Sequence, residues 1–253
     1  MNDGVTNYGN KVAQIGLSFW LMKICATTLG ETAGDLLSMT LNIGYGSSSL
    51  ILIGLFFISL LMQLGARRFH PALYWSVILT TSTAGTTMSD YMDRTLGLGY
   101  ATGSMILVGL LAVVLATWAI TEKSLSVSNI NTVRAELLYW IAILCSNTLG
   151  TALGDYLADD SGLGFMGGAL LIGSLIMAIA LTAYLSRVNR IFLFWLAFVL
   201  TRPFGATLGD LMSKPLDKGG LDFGTVGSSA VLAALLVAMV GYAMWRRSPE
   251  PVR

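Results

Sequence analysis

Apolar positions along this chain come in two textures that alternate. Four stretches are plainly apolar, as in Leu50-Ile51-Leu52-Ile53-Gly54-Leu55-Phe56-Phe57-Ile58-Ser59-Leu60-Leu61; four others are apolar but studded with Thr, Ser, Gly and Asp, as across 72–93. A membrane-crossing helix needs ~20 mostly apolar residues. The pattern therefore predicts eight helical spans, at 12–38, 47–66, 72–93, 102–121, 135–158, 166–186, 189–212 and 225–245. A layout of fewer, longer spans with re-entrant segments stays open, because the Gly-Asp stretches are polar enough to be broken helices.

The alternation is an internal repeat, which has to be read before anything else. Phe19-Trp20, Tyr74-Trp75, Tyr139-Trp140 and Phe194-Trp195 each lie, counted from Trp, fifteen residues before an Asp: Asp35, Asp90, Asp155 and Asp210. Gly30, Gly85, Gly150 and Gly205 follow the Trp by ten residues, and Gly34, Ser89, Gly154 and Gly209 by fourteen, so each copy reads G-x-x-x-[GS]-D. The Trp spacing of 55, 65 and 55 residues makes two 120-residue halves of two units each, and Cys25 and Cys145 sit at matching places in them. We place the repeats at 11–68, 69–122, 131–187 and 188–246 of a single membrane domain, 1–253. With two spans per unit, successive copies enter the membrane in the same direction, as parallel repeats about the membrane normal rather than inverted ones. The expected fold is all-α and pseudo-four-fold, with the Trp/Asp helices inside, the plain helices outside, and the small G-x-x-x-[GS] residues letting backbones approach closely.

Composition agrees: 55% of residues are hydrophobic, only 11% are charged, and the mean hydropathy is +0.71, values far from those of soluble domains. Lys11, Arg67, Arg68, Lys123, Arg134, Arg187, Arg190, Arg246, Arg247 and Arg253 fall at the chain ends or between repeats, whereas the turns within repeats hold Arg94, Lys214 and Lys218 among Asp93, Asp159, Asp160, Asp217 and Asp222. The positive-inside rule then makes both termini cytoplasmic and turns the acidic loops outward. The first ten residues carry no cleavable signal pattern, so the first helix is expected to act as its own insertion signal.

The four Asp are the candidate site. If Trp20, Trp75, Trp140 and Trp195 anchor the cytoplasmic interface, an Asp fifteen residues on lies ~22 Å further along a helix, in the outer part of the core, and four copies make a carboxylate ring. The same face carries Thr28, Glu31, Thr32, Asp35 and Ser38 in the first copy, Thr83, Thr86, Thr87, Asp90 and Asp93 in the second, and Thr148, Thr151 and Asp155 in the third, a stripe suited to a polar pathway. The bland alternative has each hydroxyl bonding the backbone one turn back and each Asp ending its helix at the interface.

The copies are unequal. Only the first has Glu31, with Lys23 two turns earlier on the same face; only the fourth has Arg202-Pro203, where the others read Thr27-Thr28, Ser82-Thr83 and Asn147-Thr148. Pro inside a helix is expected to kink it. Five interior acids against Lys23 and Arg202 give a net charge of -3, which calls for a bound cation or for protonated carboxyls. Oxygen donors with neither His nor paired thiolates favour hard ions such as Mn²⁺, Mg²⁺, Ca²⁺ or Na⁺, with Asp35, Asp90, Asp155 and Asp210 as candidate ligands. His70 lies in a loop beside Arg67-Arg68, and the two cysteines read as small apolar fillers.

The chain contains no G-x-S-x-G, H-E-x-x-H or Walker loop, so no enzyme activity and no cofactor are expected. The expected function is transport of a hard cation, a divalent metal such as manganese or cation/proton exchange, with membrane lipid and a small cation as partners and no nucleic acid. Transport or channelling of another small solute, and a structural or signalling role, are the alternatives; homo-oligomerisation stays open.

As a whole, residues 11 to 245 resemble a bacterial family of membrane-anchored proteins defined by a four-fold repeat of unknown function, each copy with two spans and a characteristic Trp, here Trp20, Trp75, Trp140 and Trp195. That resemblance implies the repeat organisation and a bacterial inner-membrane location, and is silent on activity.

Overall fold

A computed structural model describes residues 11–246 apart from 67, 128, 129 and 131. Arg67, Arg247 and Arg253 from the orientation argument therefore lie outside the described residues. Among the described residues the chain is all-helical: α1 Leu17–Asp35, α2 Tyr45–Gly65, α3 Pro71–Asp90, α4 Tyr100–Glu122, α5 Val133–Asp155, α6 Gly164–Leu185, α7 Arg190–Ser213 and α8 Gly224–Trp245. Local chemistry sets several boundaries. Pro71 opens α3, where its missing N–H costs nothing. Thr132 caps α5 by accepting from Ala135 N at 3.0 Å, and Asn189 caps α7 by accepting from Ile191 N at 2.8 Å. The second helix of every repeat starts at or just after a glycine with positive φ: Gly44, Gly99, Gly164 and Gly224.

Six helices, α2, α4, α5, α6, α7 and α8, are long and apolar enough to cross a membrane, and their outward faces expose Leu50, Leu61, Met105, Leu170 and Val237. The chain is thus a helical membrane protein. The remaining two, α1 and α3, fall short of that measure because they carry the densest polar load: Lys23, Glu31 and Asp35 with three Thr in α1, and eight Ser or Thr in α3.

The Gly-Asp stretches are unbroken helices, and helix α7 also continues uninterrupted across Pro203. In the first three repeats the Asp is the last α-helical residue, and a five-residue π-helical turn follows at once: Leu36–Thr40, Tyr91–Thr95 and Tyr156–Asp160. Such turns are uncommon and concentrate at functional sites. The fourth copy instead continues past Asp210 to Ser213 and stops before Pro215.

Helices α1, α3, α5 and α7 close a ring, each touching two neighbours; α2 lies against α3, α4 against α5, α6 against α7, and α8 returns to α1. Each outer helix thus packs on the inner helix of the next repeat. The ring interlocks through its small residues. A Cβ on Gly85 would come within 2.9 Å of the Asn147 carbonyl carbon, one on Gly205 within 2.9 Å of that of Thr27, and those on Gly30 and Gly150 would run into Ser82 and Arg202. One turn on, Gly34 abuts Thr86 at 2.9 Å, Gly154 abuts Ala206 at 2.8 Å and Gly209 abuts Glu31 at 2.9 Å, again by the position a Cβ would take. Ser89, the one departure from glycine, donates to Asp93 Oδ2 at 3.2 Å.

Candidate functional site

Residues four apart share a helix face, and the faces that meet inside the ring form a ladder of such steps. At the Trp end stand Phe19, Tyr74, Tyr139 and Phe194, with the Tyr74 and Tyr139 hydroxyls 2.6 Å apart and the Phe19 and Phe194 rings 6.3 Å apart. The next rung holds Lys23, Ile78, Ile143 and Phe198, all buried. Above it lie Thr27, Ser82, Asn147 and Arg202, then Glu31, Thr86, Thr151 and Ala206, then the four Asp.

The middle of the ladder is a fully desolvated ion pair. Arg202, 0% exposed, donates from Nη1 to Glu31 Oε2 at 3.0 Å. Its Nη2 donates to Thr86 Oγ1 at 2.5 Å, Thr151 Oγ1 at 2.7 Å and Ser82 O at 3.3 Å. The Thr86 and Thr151 hydroxyls also donate to Glu31 Oε2 at 3.3 Å. All four repeats supply atoms here, the fourth through Arg202 while its position on this rung is Ala206 rather than a hydroxyl.

The Asp rung is divided between two bases. Arg94 sits 2.9 Å by Nε from Asp90 Oδ1 and donates from Nη2 to Asp155 Oδ2 at 3.1 Å. Lys214 Nζ is 2.5 Å from Asp35 Oδ2 and 3.1 Å from Asp210 Oδ1. Arg94 and Lys214 are 120 residues apart, the same position in the two halves, four residues after their own Asp. Ligand oxygens of Glu31, Asp35 and Asp210 all lie within 4.8 Å of one another. Their hard carboxylate donors fit a hard cation such as Mn²⁺ or Ca²⁺. Asp90 Oδ2 is buried without a hydrogen-bond partner.

Several expectations are corrected. The -3 interior counted Arg94 and Lys214 as loop residues; both turn back onto the Asp rung, so five acids face four bases and the ladder carries -1. Trp75, Trp140 and Trp195 are buried inside the protein rather than set at a lipid interface, and only Trp20 is partly exposed. The aromatic residue before each Trp occupies the interior of the ring and draws the Trp into the same layer. Thr28, Thr83 and Thr148 donate to the carbonyls of Ile24, Leu79 and Leu144 on their own helices; the hydroxyls that meet Arg202 and Glu31 inside the ring are those of Thr86 and Thr151, one row over. Lys23 has no carboxylate within ion-pair distance among the described residues; its ammonium lies 4.0 Å from the Phe198 ring centre and 3.5 Å from Asn147 Oδ1. Asp93 is buried beside Gly103, off the ladder, with Ser89 as its donor.

The bases that sequence reasoning missed had a signal. Arg94 and Lys214 continue the i, i+4 series past the Asp, and a helical turn prolonged beyond it faces them inward. A second buried pair, Lys11 with Glu136 at 2.6 Å, closes the Trp end, where Gln63 Nε2 adds a 3.4 Å bond to Glu136 Oε1.

Against known proteins, four segments of the chain, residues 18–69, 73–124, 138–189 and 193–248, each match one family model, described as a repeat of unknown function (DUF347). No curated protein and no solved structure matches the chain.

Proposed function

Because the chain belongs to the family of the DUF347 repeat, whose function is unknown, we propose a function from the geometry: proton-coupled transport of a hard cation by eight membrane spans arranged pseudo-four-fold about the membrane normal. In this reading α1 and α3 also span, because their polar residues face the ring and their lipid contact is shared with α2 and α8. The basic Trp end faces the cytoplasm, and the Asp rung opens to the other side.

The observation that carries the proposal is the seating of one flexible ammonium, Lys214, on Asp35 and Asp210 while Glu31 lies within the same 4.8 Å cluster. Charge arithmetic supports exchange. With Lys214 seated the ladder is at -1, so one proton or monovalent ion neutralises it. With Lys214 withdrawn the ladder is at -2, which a divalent ion neutralises. Two neutral states that differ by a divalent ion against a proton plus a tethered amine are the basis of cation/proton exchange, since an uncompensated buried charge is expensive. Arg94 does not alternate in this scheme: its guanidinium lies 6.0 Å and 5.6 Å from the ring centres of Tyr45 and Tyr100 and forks onto two Asp, a planar, pre-organised fit that an ammonium lacks. Arg202 holds Glu31 permanently and keeps the centre of the ladder dry.

The test is flux in proteoliposomes with Mn²⁺, Ca²⁺, Mg²⁺, Na⁺ and K⁺, with and without an imposed pH gradient. Gradient-driven uptake of at least one ion, abolished in Asp35→Asn, reduced in Asp155→Asn and uncoupled from pH in Lys214→Met, is the expected result. No ion flux across the panel rejects transport of cations and leaves the ladder as a structural network.

A further inference from the structure

Two clefts open on the outside of the ring at its Trp end, about 560 Å³ between α4 and α7 and about 690 Å³ between α8 and α3. They share a core of equivalent positions, although the second is also lined by Ser18, Leu21 and Met22 of α1. Ala119 and Met239, Lys123 and Ala243, Ile191 and Pro71, and Trp195 and Trp75 line equivalent places and differ in number by 120. Each is floored by a buried Trp and edged by one base just past the C-terminus of an outer helix, Lys123 after α4 and Arg246 after α8; the first is walled mainly by aliphatic side chains, the second by aliphatic and aromatic ones with Gln14 and Ser18. Among the described residues that end of the molecule also carries Arg68, Arg134, Arg187 and Arg190, while its acids are engaged, Glu122 with Arg134 at 2.7 Å and Glu136 with Lys11 at 2.6 Å.

We propose that each cleft holds one anionic phospholipid, its acyl chain against Trp195 or Trp75 and its headgroup phosphate on Lys123 or Arg246. The apolar wall of the α4–α7 cleft offers water few polar partners, and the larger cleft presents a mainly apolar wall for an acyl chain with Gln14, Ser18 and Tyr242 beside it. A basic rim beside such a slot between membrane helices selects an anionic headgroup. The surrounding excess of positive charge favours a net-negative lipid over a zwitterionic one of the same chain length, since both offer the phosphate but only one is attracted by the whole face. The inference is independent of transport and stands or falls without it.

Native mass spectrometry of the delipidated full chain, titrated with phosphatidylglycerol or phosphatidylcholine of identical chains, tests it. Two saturable phosphatidylglycerol adducts are expected, with weaker phosphatidylcholine binding. Filling either cleft, by Ala119→Trp or Ala243→Trp, should remove one adduct and the double variant both; Ala119 is exposed and Ala243 half-exposed, so the fold tolerates them. Lys123→Gln should weaken one site about fivefold, the effect of one base near an anionic headgroup. Equal retention of both lipids overturns the headgroup selection. Adducts unaffected by filling the clefts, or displaced by detergent at the same concentration whatever the variant, overturn the sites.

Discussion

Removing Arg202 should be among the most damaging single changes in the molecule, and the damage should be repairable from across the ring. In Arg202→Met the aliphatic stem still packs against Gly150, whose Cβ position lies against the Arg202 side chain, but Glu31, 2% exposed, keeps only the Thr86 and Thr151 hydroxyls as donors. Leaving one buried charge without its partner costs ~3–5 kcal/mol. In Glu31→Gln the guanidinium keeps Thr86, Thr151 and the Ser82 carbonyl yet loses its counter-charge, a loss of the same order. The double variant removes both charges together, and such replacements run from neutral to stabilising. The double-mutant cycle should therefore show a coupling well above the ~0.5–3 kcal/mol usual for residues in contact, because two losses of ~3–5 kcal/mol each vanish together. Equilibrium unfolding in mixed micelles, followed by Trp fluorescence, measures all four corners. Additive single effects would refute the central pair, and a stable Arg202→Met would mean that Glu31 is reached by water or by another base.

Three further outcomes follow from the same geometry. Gly85→Ala, whose Cβ would meet Asn147 and Thr148 backbone at 2.9 Å, should cost ~1–3 kcal/mol as overpacking, whereas Gly54→Ala, with nothing within 4 Å, should stabilise by up to ~1 kcal/mol through helix propensity; thermal melts in detergent compare them. Tyr74→Phe strands the Tyr139 hydroxyl, 0% exposed, and should lower stability by ~1–3 kcal/mol, with Tyr139→Phe added on top restoring most of it in the same melts. Cys25 and Cys145, both buried and unpaired, should resist maleimide in the folded protein and label after unfolding in SDS, read by mass shift.

The repeat and its helices were legible because one period controls everything local: the Trp, the two small residues and the Asp recur at fixed offsets, so each copy declares an inner helix and a plain outer one. The rows facing inward were only half legible. Asp35, Glu31, Thr27, Lys23 and Phe19 step by four, whereas Thr28 sits seven before Asp35; both rows fit a 3/4 stripe, and only the crossing of neighbouring helices selects the first. Burial of the Trp was hidden for a related reason, since an aromatic pair at a presumed interface looks the same whether it faces lipid or a neighbouring ring. The counter-ions were hidden by the membrane boundary itself. A boundary drawn at the Asp assigns Arg94 and Lys214 to loops, while in the folded chain helical turn continues past the Asp and brings them back.

Those two bases also explain why the copies differ. Four residues past the Asp, the four copies carry Met39, Arg94, Asp159 and Lys214, so four-fold repetition is reduced to two-fold: alternate copies supply a base, and each base bridges its own Asp to the next copy's. The halves are then made unequal. At the seam of the second and third copies the base is an arginine set near Tyr45 and Tyr100, the latter donating to Asp159 Oδ2 at 3.4 Å. At the seam of the fourth and first copies it is a lysine, and the same seam carries Glu31 and Arg202. A guanidinium that bonds Asp155 and Tyr45, pairs with Asp90 and lies near two rings loses all of these on leaving, whereas an ammonium on a flexible stem loses two contacts and gains hydration. Under the proposed reading the first seam is a fixed strut and the second is where a cation enters, so Arg94→Lys should loosen the strut and Lys214→Arg should lock the entrance; flux lost in Lys214→Arg but kept in Arg94→Lys is the expected order, and the reverse order would place the entrance at the other seam.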